Sequence, residues 1–318
     1  MPTRLPPNRD PRPYDLLVVG EINPDLILRG DVEPAFGQAE KLVEEATLTV
    51  GSSGVILAMG AARLGLRVAF VGKCGDDVFG HFMLAAMQER GIHTAGVLMV
   101  PDQPTGFSVI LSRPDGDRAI LTYPGLIPAL RAEETPDRLL AQARHLHVAS
   151  VFLQTALQPG LPQLLDRAHA QGLTTSLDTN WDPRGQWRVA PFLERCDLFL
   201  PNREEVLRIT RAGKLEDGLD ILARQVPLLA VKLGAEGGLA RRGSVTVRVP
   251  ALPVEAVDTT GAGDSFDAGF LYGYLQGWPL ERTLRLAVAC GSLSTRAAGG
   301  VAAQPTLDEA LTALEALP

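Results

Sequence analysis

Residues 258–271 read DTTGAGDSFDAGFL, and their types and spacing suit phosphate chemistry. Gly261, Ala262 and Gly263 carry little side-chain bulk, so a ligand can come close to their backbone. An apolar-periodic helix follows from about Asp264. A helix start offers unpaired N–H groups and the positive end of the helix dipole, and both attract an anion. Asp264 falls in that first turn. A carboxylate there would oppose phosphate binding alone. It makes sense as a base that takes a proton from a hydroxyl attacking a phosphoryl group. The plainer alternative is an Asp capping a helix after a glycine-rich turn.

The elements that must position this segment alternate. Residues 15–20 (DLLVVG) form a short apolar run, which predicts a buried strand. Strands are also expected at 46–50, 67–71, 145–150, 173–178, 197–201 and 228–233. Helices are expected at 54–64, 78–90, 157–171, 202–210, 216–225, 262–276, 280–297 and 307–316. Strand-then-helix alternation predicts an α/β fold, with a central, mostly parallel sheet flanked by helices. The stretch 96–123 breaks that rhythm. Residues 105–111 and 118–123 predict two strands joined by SRPDGD with no helix between them, an antiparallel hairpin outside the main sheet. A second hairpin is expected within 237–249, around Gly243. Residues 1–14 read as a tail, and 15–318 as one domain with a small β excursion at about 35–50 and 98–123.

Composition excludes several classes. The chain has 318 residues, 46% hydrophobic and 21% charged, enough to bury a sizeable core and unlike a disordered chain. No apolar run approaches the roughly 18–20 residues of a membrane span, and the Pro- and Arg-rich start lacks the apolar core of a secretory signal. Net charge is -7, where a nucleic-acid binder would carry a basic excess. The three cysteines, Cys74, Cys196 and Cys290, form no CxxC pair. A disulfide or structural zinc framework is therefore not expected, and a reducing cytoplasm is. His145 and His147 alternate on an expected strand without ligands at metal spacing, and Gly51-Ser52-Ser53-Gly54 lacks the spacing of a dinucleotide loop.

DTTGAGDSFDAGFL resembles the C-terminal signature of the ribokinase-like (PfkB) carbohydrate kinases, and further motifs follow in family order from Val18 to Pro305. The resemblance implies a ribokinase-like fold with a small β lid. It implies that Asp264 is the catalytic base and that the backbone of Gly261, Ala262 and Gly263 forms an anion hole. In GEINPD, residues 20–25, Asn23 and Asp25 would face the substrate, Asp25 binding sugar hydroxyls. Residues 51–80 resemble the N-terminal signature. Ser52 stands where the family usually has a second Gly, and Ile56 where it has a sugar-binding Asn. An Ile has neither donor nor acceptor, so the substrate contacts differ here. Asn202 and Glu205 match N-x-x-E, which implies Mg²⁺ held through water by Glu205. The same pair could equally close a capping box. Lys232, Gly234 and Gly237 would lie along the nucleotide, and Val288 would line an apolar base pocket. In DTNWD, residues 178–182, Asp182 replaces a phosphate-holding Arg, for which Arg184 could substitute. Asp258 and Thr260 would contribute carbonyls to a monovalent cation site, K⁺ in some members.

The resemblance thus implies an ATP- and Mg²⁺-dependent enzyme that phosphorylates a hydroxyl of a small sugar or sugar acid. ATP would lie across 202–237 and 258–300. The sugar would lie near Asp25, Gly51, Ser52, Ile56 and Ser150, with Phe107 as a lid wall. Lid closure would exclude water. The alternatives are a nucleoside kinase of the same family and a catalytically idle sugar-binding protein. A sugar acid would want a basic group, for which Arg113 and Arg118 are candidates. Lid hairpins meeting edge to edge would form a homodimer.

Overall fold

The computed structural model describes residues 11–115 and 117–315. The first ten residues of the expected tail and position 116 of the expected turn lie outside the described residues. The expected tail ends early: Arg12 Nη1 donates to the carbonyl of Ala143 at 2.9 Å, and Tyr14 already opens the first strand.

In chain order, β1 (Tyr14–Val19), β2 (Pro24–Arg29) and β3 (Glu45–Val50) lead into α1 (Ser53–Arg63). Then come β4 (Val68–Gly75), α2 (Val78–Glu89), β5 (His93–Val100), β6 (Phe107–Ser112) and β7 (Arg118–Tyr123). The middle holds α3 (Asp137–Ala141), β8 (Ala143–Val148), α4 (Leu161–Ala170), β9 (Thr174–Leu177), α5 (Ala190–Leu193) and β10 (Leu198–Phe199). Next are α6 (Arg203–Thr210), α7 (Leu215–Leu222), β11 (Leu228–Lys232), β12 (Gly238–Arg242) and β13 (Val245–Val249). The chain closes with α8 (Ala262–Leu275), α9 (Leu280–Ser294) and α10 (Leu307–Leu314).

The nine-stranded sheet runs β13-β12-β11-β10-β9-β8-β1-β4-β5. It is parallel from β11 to β5, and the β12–β13 hairpin adds an antiparallel edge. Strands buried on both faces read as continuous apolar runs, and β1 feeds both cores. Leu16 and Val18 join the layer with α1, α8 and α9, while Leu17 and Val19 join the layer with α3 and α4. Strand order reverses at β1, between β8 and β4. In open α/β sheets ligands bind beyond the strand ends at such a reversal.

The second sheet runs β3-β2-β6-β7. The expected hairpin is there, with β6 and β7 antiparallel, and β2 pairs with β6 in parallel. Two boundaries of the β excursion differ from expectation. Residues 98–100 belong to β5 at the edge of the main sheet, and 24–29 form a strand of the second sheet where no strand was expected. Residues 98–100 (LMV) and 26–28 (LIL) are short apolar runs, the second behind Pro24 and Asp25, and which sheet they join depends on distant partners.

Candidate active site

Two helix starts face each other at the glycine-rich loop, those of α8 and α1. Gly261 precedes α8 with φ 71, in the left-handed region that glycine tolerates. A Cβ there would sit 2.7 Å from the Cα of Gly300 and 2.9 Å from Cγ2 of Ile56, so no larger residue fits. The Ala262 N–H donates to the Thr259 carbonyl at 3.3 Å, and the helical ladder starts with Ser265 N–H on the Gly261 carbonyl at 2.9 Å. Asp264, in the first turn, accepts a hydrogen bond from Ser53 Oγ at the start of α1. Burial pushes its carboxyl up to about 7, the Ser53 bond opposes this, and the charge of Asp178 adds to it. A carboxylate poised near neutral pH at a helix mouth can take a proton from an alcohol.

Beneath this loop lies a buried ion cluster that sequence reasoning did not assemble. Lys232 Nζ contacts Asp178 Oδ2 at 2.9 Å and Asp267 Oδ2 at 3.1 Å. Its stem passes under Gly263, whose Cβ would meet Lys232 Cδ at 3.3 Å. Burial drives the Asp267 carboxyl well above its usual range, with Lys232 opposing and Asp178 adding. For Asp178, by contrast, burial is outweighed by Lys232 and the Asn180 amide, which hold it below its usual range. The available signals were the i, i+3 spacing of Asp264 and Asp267, and an Asp just past the end of β9.

Asn202 and Glu205 form a full capping box on α6. Glu205 Oε2 accepts the Asn202 N–H at 2.8 Å, Oε1 accepts Asn202 Nδ2 at 2.7 Å, and Asn202 Oδ1 accepts the Glu205 N–H at 2.9 Å. Burial and then Asp178 push the Glu205 carboxyl up to about 7, against Lys232. Among the described residues no three His, Cys, Asp or Glu side chains converge as a metal cage. Mg²⁺ needs none, since it dehydrates reluctantly and is held by one or two carboxylates plus substrate phosphates. Glu205 and Asp264, whose charges act on each other, are the one or two carboxylates that such a cation takes. Gly234 (φ 60) and Gly237 (φ 91) turn the chain between β11 and β12, beside Lys232.

The other end of the site is acidic and hydroxyl-rich. Asp25 is buried, accepts from Asn23 Nδ2 at 3.3 Å and bonds Ser108. Burial, then the charge of Glu21, push it up to about 7. A Cβ on Gly51 would lie 2.2 Å from Asp25 Oδ1, so only glycine lets β3 pass there. Glu21, also missed from sequence, is buried with Oε1 accepting from Ser53 N at 2.9 Å and from Ser150 Oγ at 2.9 Å. Its Oε2 has no hydrogen-bond partner, and burial raises its carboxyl. Cross-strand register then places Thr49, Asp25, Ser108 and Thr122 in one row across the lid. Ser108 and Thr122 are hydroxyl-bonded at 3.0 Å.

The remaining expected site residues make the following contacts. Ile56 is buried against Gly261 and Gly300, so it props the phosphate loop from behind. Phe107, one residue from Ser108, points to the opposite face of the lid and packs on Phe79 and Tyr123 at ring separations of 5.3 and 5.9 Å. Val288 is a core residue of α9 that packs behind Gly238. Ser150 (φ 48) relays between Glu21 and Asn180, whose Nδ2 donates to it at 2.8 Å. Ser52 (φ 67) caps α1 through Val55 N and donates to the Glu21 carbonyl at 2.6 Å. Asp182 accepts the amides of Arg184, Gln186 and Trp187, which folds its own loop. Arg113 pairs with Glu33 at 2.9 Å, and Arg118 reaches Thr260 at 2.8 Å. His145 and His147 are buried and hydrogen-bonded to hydroxyls of Thr174 and Ser176.

A doubly wound parallel sheet, a second small sheet carrying a row of hydroxyls, and a buried carboxylate in the first turn behind a glycine loop suit a small-molecule phosphotransferase. The sequence profile of the pfkB family carbohydrate kinases matches residues 14–307, and the chain belongs to that family. It is a carbohydrate kinase. An uncharacterized sugar kinase of Archaeoglobus fulgidus is 31% identical over 228 residues, 72% of this chain and 91% of that one. An ATP-dependent ribose-1-phosphate kinase of Halopiger xanaduensis is 30% identical over 296 residues, 92% and 95% of the two chains. The crystal structure of adenosine kinase from Sinorhizobium meliloti superposes with a TM-score of 0.82 at 28% identity, covering 96% of this chain and 99% of that one.

Proposed function

We propose that the enzyme transfers the terminal phosphoryl group of ATP to a hydroxyl of a small neutral sugar, with Asp264 as general base. The observation that carries this reading is the Asp264 carboxyl, raised to about 7 in the first turn behind Gly261, Ala262 and Gly263. Asp264 takes the hydroxyl proton. The start of α8 and the Lys232 ammonium face the developing phosphoryl charge. ATP lies along Asn202, Lys232, Gly234 and Gly237. Mg²⁺, held through water by Glu205, supplies positive charge against the phosphates when bound. Asn23, Asp25, Ser108 and Thr122 offer acceptors and donors to sugar hydroxyls, and the four-stranded sheet closes over the sugar as a lid.

Two features favour a neutral sugar over a sugar acid. Glu21 and Asp25 put carboxylates at the sugar end, and Arg113 and Arg118 are engaged elsewhere. A homodimer through the exposed lid is part of the same reading. So is a cytoplasmic setting, with Cys74, Cys196 and Cys290 buried and unpaired. The test is ADP release from ATP and Mg²⁺ across neutral sugars, sugar acids, sugar phosphates and nucleosides. Turnover with a neutral sugar is expected. Turnover with a nucleoside alone would overturn the sugar reading, and sugar binding without any turnover would overturn the kinase mechanism.

A further inference from the structure

Asp258 lies three positions before Gly261, and lid side chains reach the segment between them. Asp258 Oδ1 accepts the N–H and the hydroxyl of Thr260 at 2.9 and 2.8 Å. Its Oδ2 accepts the Gly299 N–H at 3.0 Å and Arg29 Nη2 at 3.3 Å. Arg118 Nη1 donates to the Thr260 hydroxyl at 2.8 Å and stands 3.9 Å from Asp258 Oδ1. Burial would raise the Asp258 carboxyl, but the amides of Gly299 and Thr260, the Thr260 hydroxyl and Arg29 outweigh it and hold it below its usual range. Both arginines come from the lid. Arg29 ends β2 and Arg118 opens β7, and each pairs with Ser112 of β6 between them. The period of two puts them on the face that also carries Asp25, Ser108 and Thr122.

This arrangement does not suit the monovalent cation that the family resemblance implies at Asp258 and Thr260. A further cation at the carbonyls of Asp258 and Thr260 would stand beside two guanidinium groups, Arg29 on the Asp258 carboxylate and Arg118 on the Thr260 hydroxyl. We propose that Arg29 and Arg118 are positioning residues that latch the lid to the loop before the anion hole. Their guanidinium groups do there what a bound cation would do. Lid seating and the posture of Gly261–Gly263 are then one event, and turnover needs no added monovalent cation. The inference rests on the kinase reading for its link to catalysis, whereas the latch itself is a property of the fold.

The test uses the full chain with ATP, Mg²⁺ and the best substrate of the panel, in KCl or tetramethylammonium chloride at equal ionic strength. The unmodified enzyme should turn over equally in both salts. In tetramethylammonium chloride, Arg29→Ala should lose about ten-fold or more in kcat with a much smaller change in the KM for ATP. Low-millimolar guanidinium chloride or KCl should restore part of that loss, and Arg29→Lys should keep most of the rate. A merely structural defect would respond to neither ion. Potassium dependence of the unmodified enzyme would overturn the proposal, as would an Arg29→Ala enzyme of normal rate, or one whose loss neither ion repairs. Hydrogen exchange gives a second readout independent of turnover. Amides of 259–264 should exchange faster in Arg29→Ala, and unchanged exchange would refute the latch even if no substrate were found and the kinase reading had failed.

Discussion

Asp264 combines three conditions that rarely meet in one carboxylate. It sits in the first turn of a helix, bonds a second helix start through Ser53, and shares its surroundings with Asp178 and Glu21. The helix ends favour its charge and the desolvation opposes it, and the desolvation is the larger influence. A base must be unprotonated to act, so kcat/KM should rise about ten-fold per pH unit below roughly 7 and level off above it. A pH–rate profile that stays flat down to pH 5 would remove Asp264 from that role. Asp264→Asn should cut kcat by about 10²- to 10⁴-fold while the circular dichroism spectrum stays unchanged. The same residue makes a prediction about stability. Its carboxyl titrates above its ordinary 3.8, so the folded chain binds a proton that the unfolded chain has lost between about pH 4 and 7. Stability therefore falls as pH rises through that window. Asp264→Asn removes the charge, so its melting temperature should exceed that of the unmodified enzyme above pH 7, on the order of a few degrees. The gap should close as pH falls towards 4. A variant that melts lower than the unmodified enzyme at pH 8 would show that the charge is better compensated than the desolvation suggests.

At the scale of the element, α1 carries the clearest compromise. Ser52 holds a left-handed φ of 67 where a glycine would be unstrained, yet its hydroxyl caps Val55 N and bonds the Glu21 carbonyl. Ser52→Ala keeps the strain and loses both bonds, and should cost about 1–2 kcal/mol, read as a lower urea midpoint. Ser52→Gly should cost less, because it releases the strain as it loses the cap. Most elements of this kind were legible in the sequence. Helix 262–276 was marked by its glycine-rich entry and apolar period, and is observed at Ala262–Leu275. The capping box of Asn202 and Glu205 was written in their i, i+3 spacing, and the β6–β7 hairpin in the turn between its strands. What sequence could not show was pairing across distance. Nothing local says that β2 leaves the main sheet to lie beside β6, eighty residues on. Nothing local says that Lys232 would meet Asp178 and Asp267, or that Phe107 would face away from Asp25. Each depends on a register, and a register shifted by one residue turns every side chain to the other face.

At the scale of the molecule, the lid sheet presents two unlike faces. The face toward the site carries Asp25, Ser108, Thr122 and the two arginines, with Ile120 exposed among them. The opposite face carries Leu48 and Leu121, exposed by 45% and 60%, with Tyr123 exposed by 47%. Among the described residues its outer strands β3 and β7 each have one unpaired edge. A long, apolar, unpaired edge is a template for another strand, and apolar patches on a soluble chain mark interaction sites. Both features point to association of two lids, apolar face or edge against its like, in a symmetric pair. Sedimentation velocity should therefore show a concentration-dependent dimer. Leu121→Lys, which puts a charge on that face without touching Asp258, Asp264 or the hydroxyl row, should shift it to monomer. If lid pairing also steadies closure, the monomeric variant should keep kcat within a few-fold while its KM for the sugar rises, because the lid then closes without a neighbour to rest on. A chain that sediments as a monomer at every concentration, or a Leu121→Lys dimer as tight as the original, would show that the apolar face has no role in self-association.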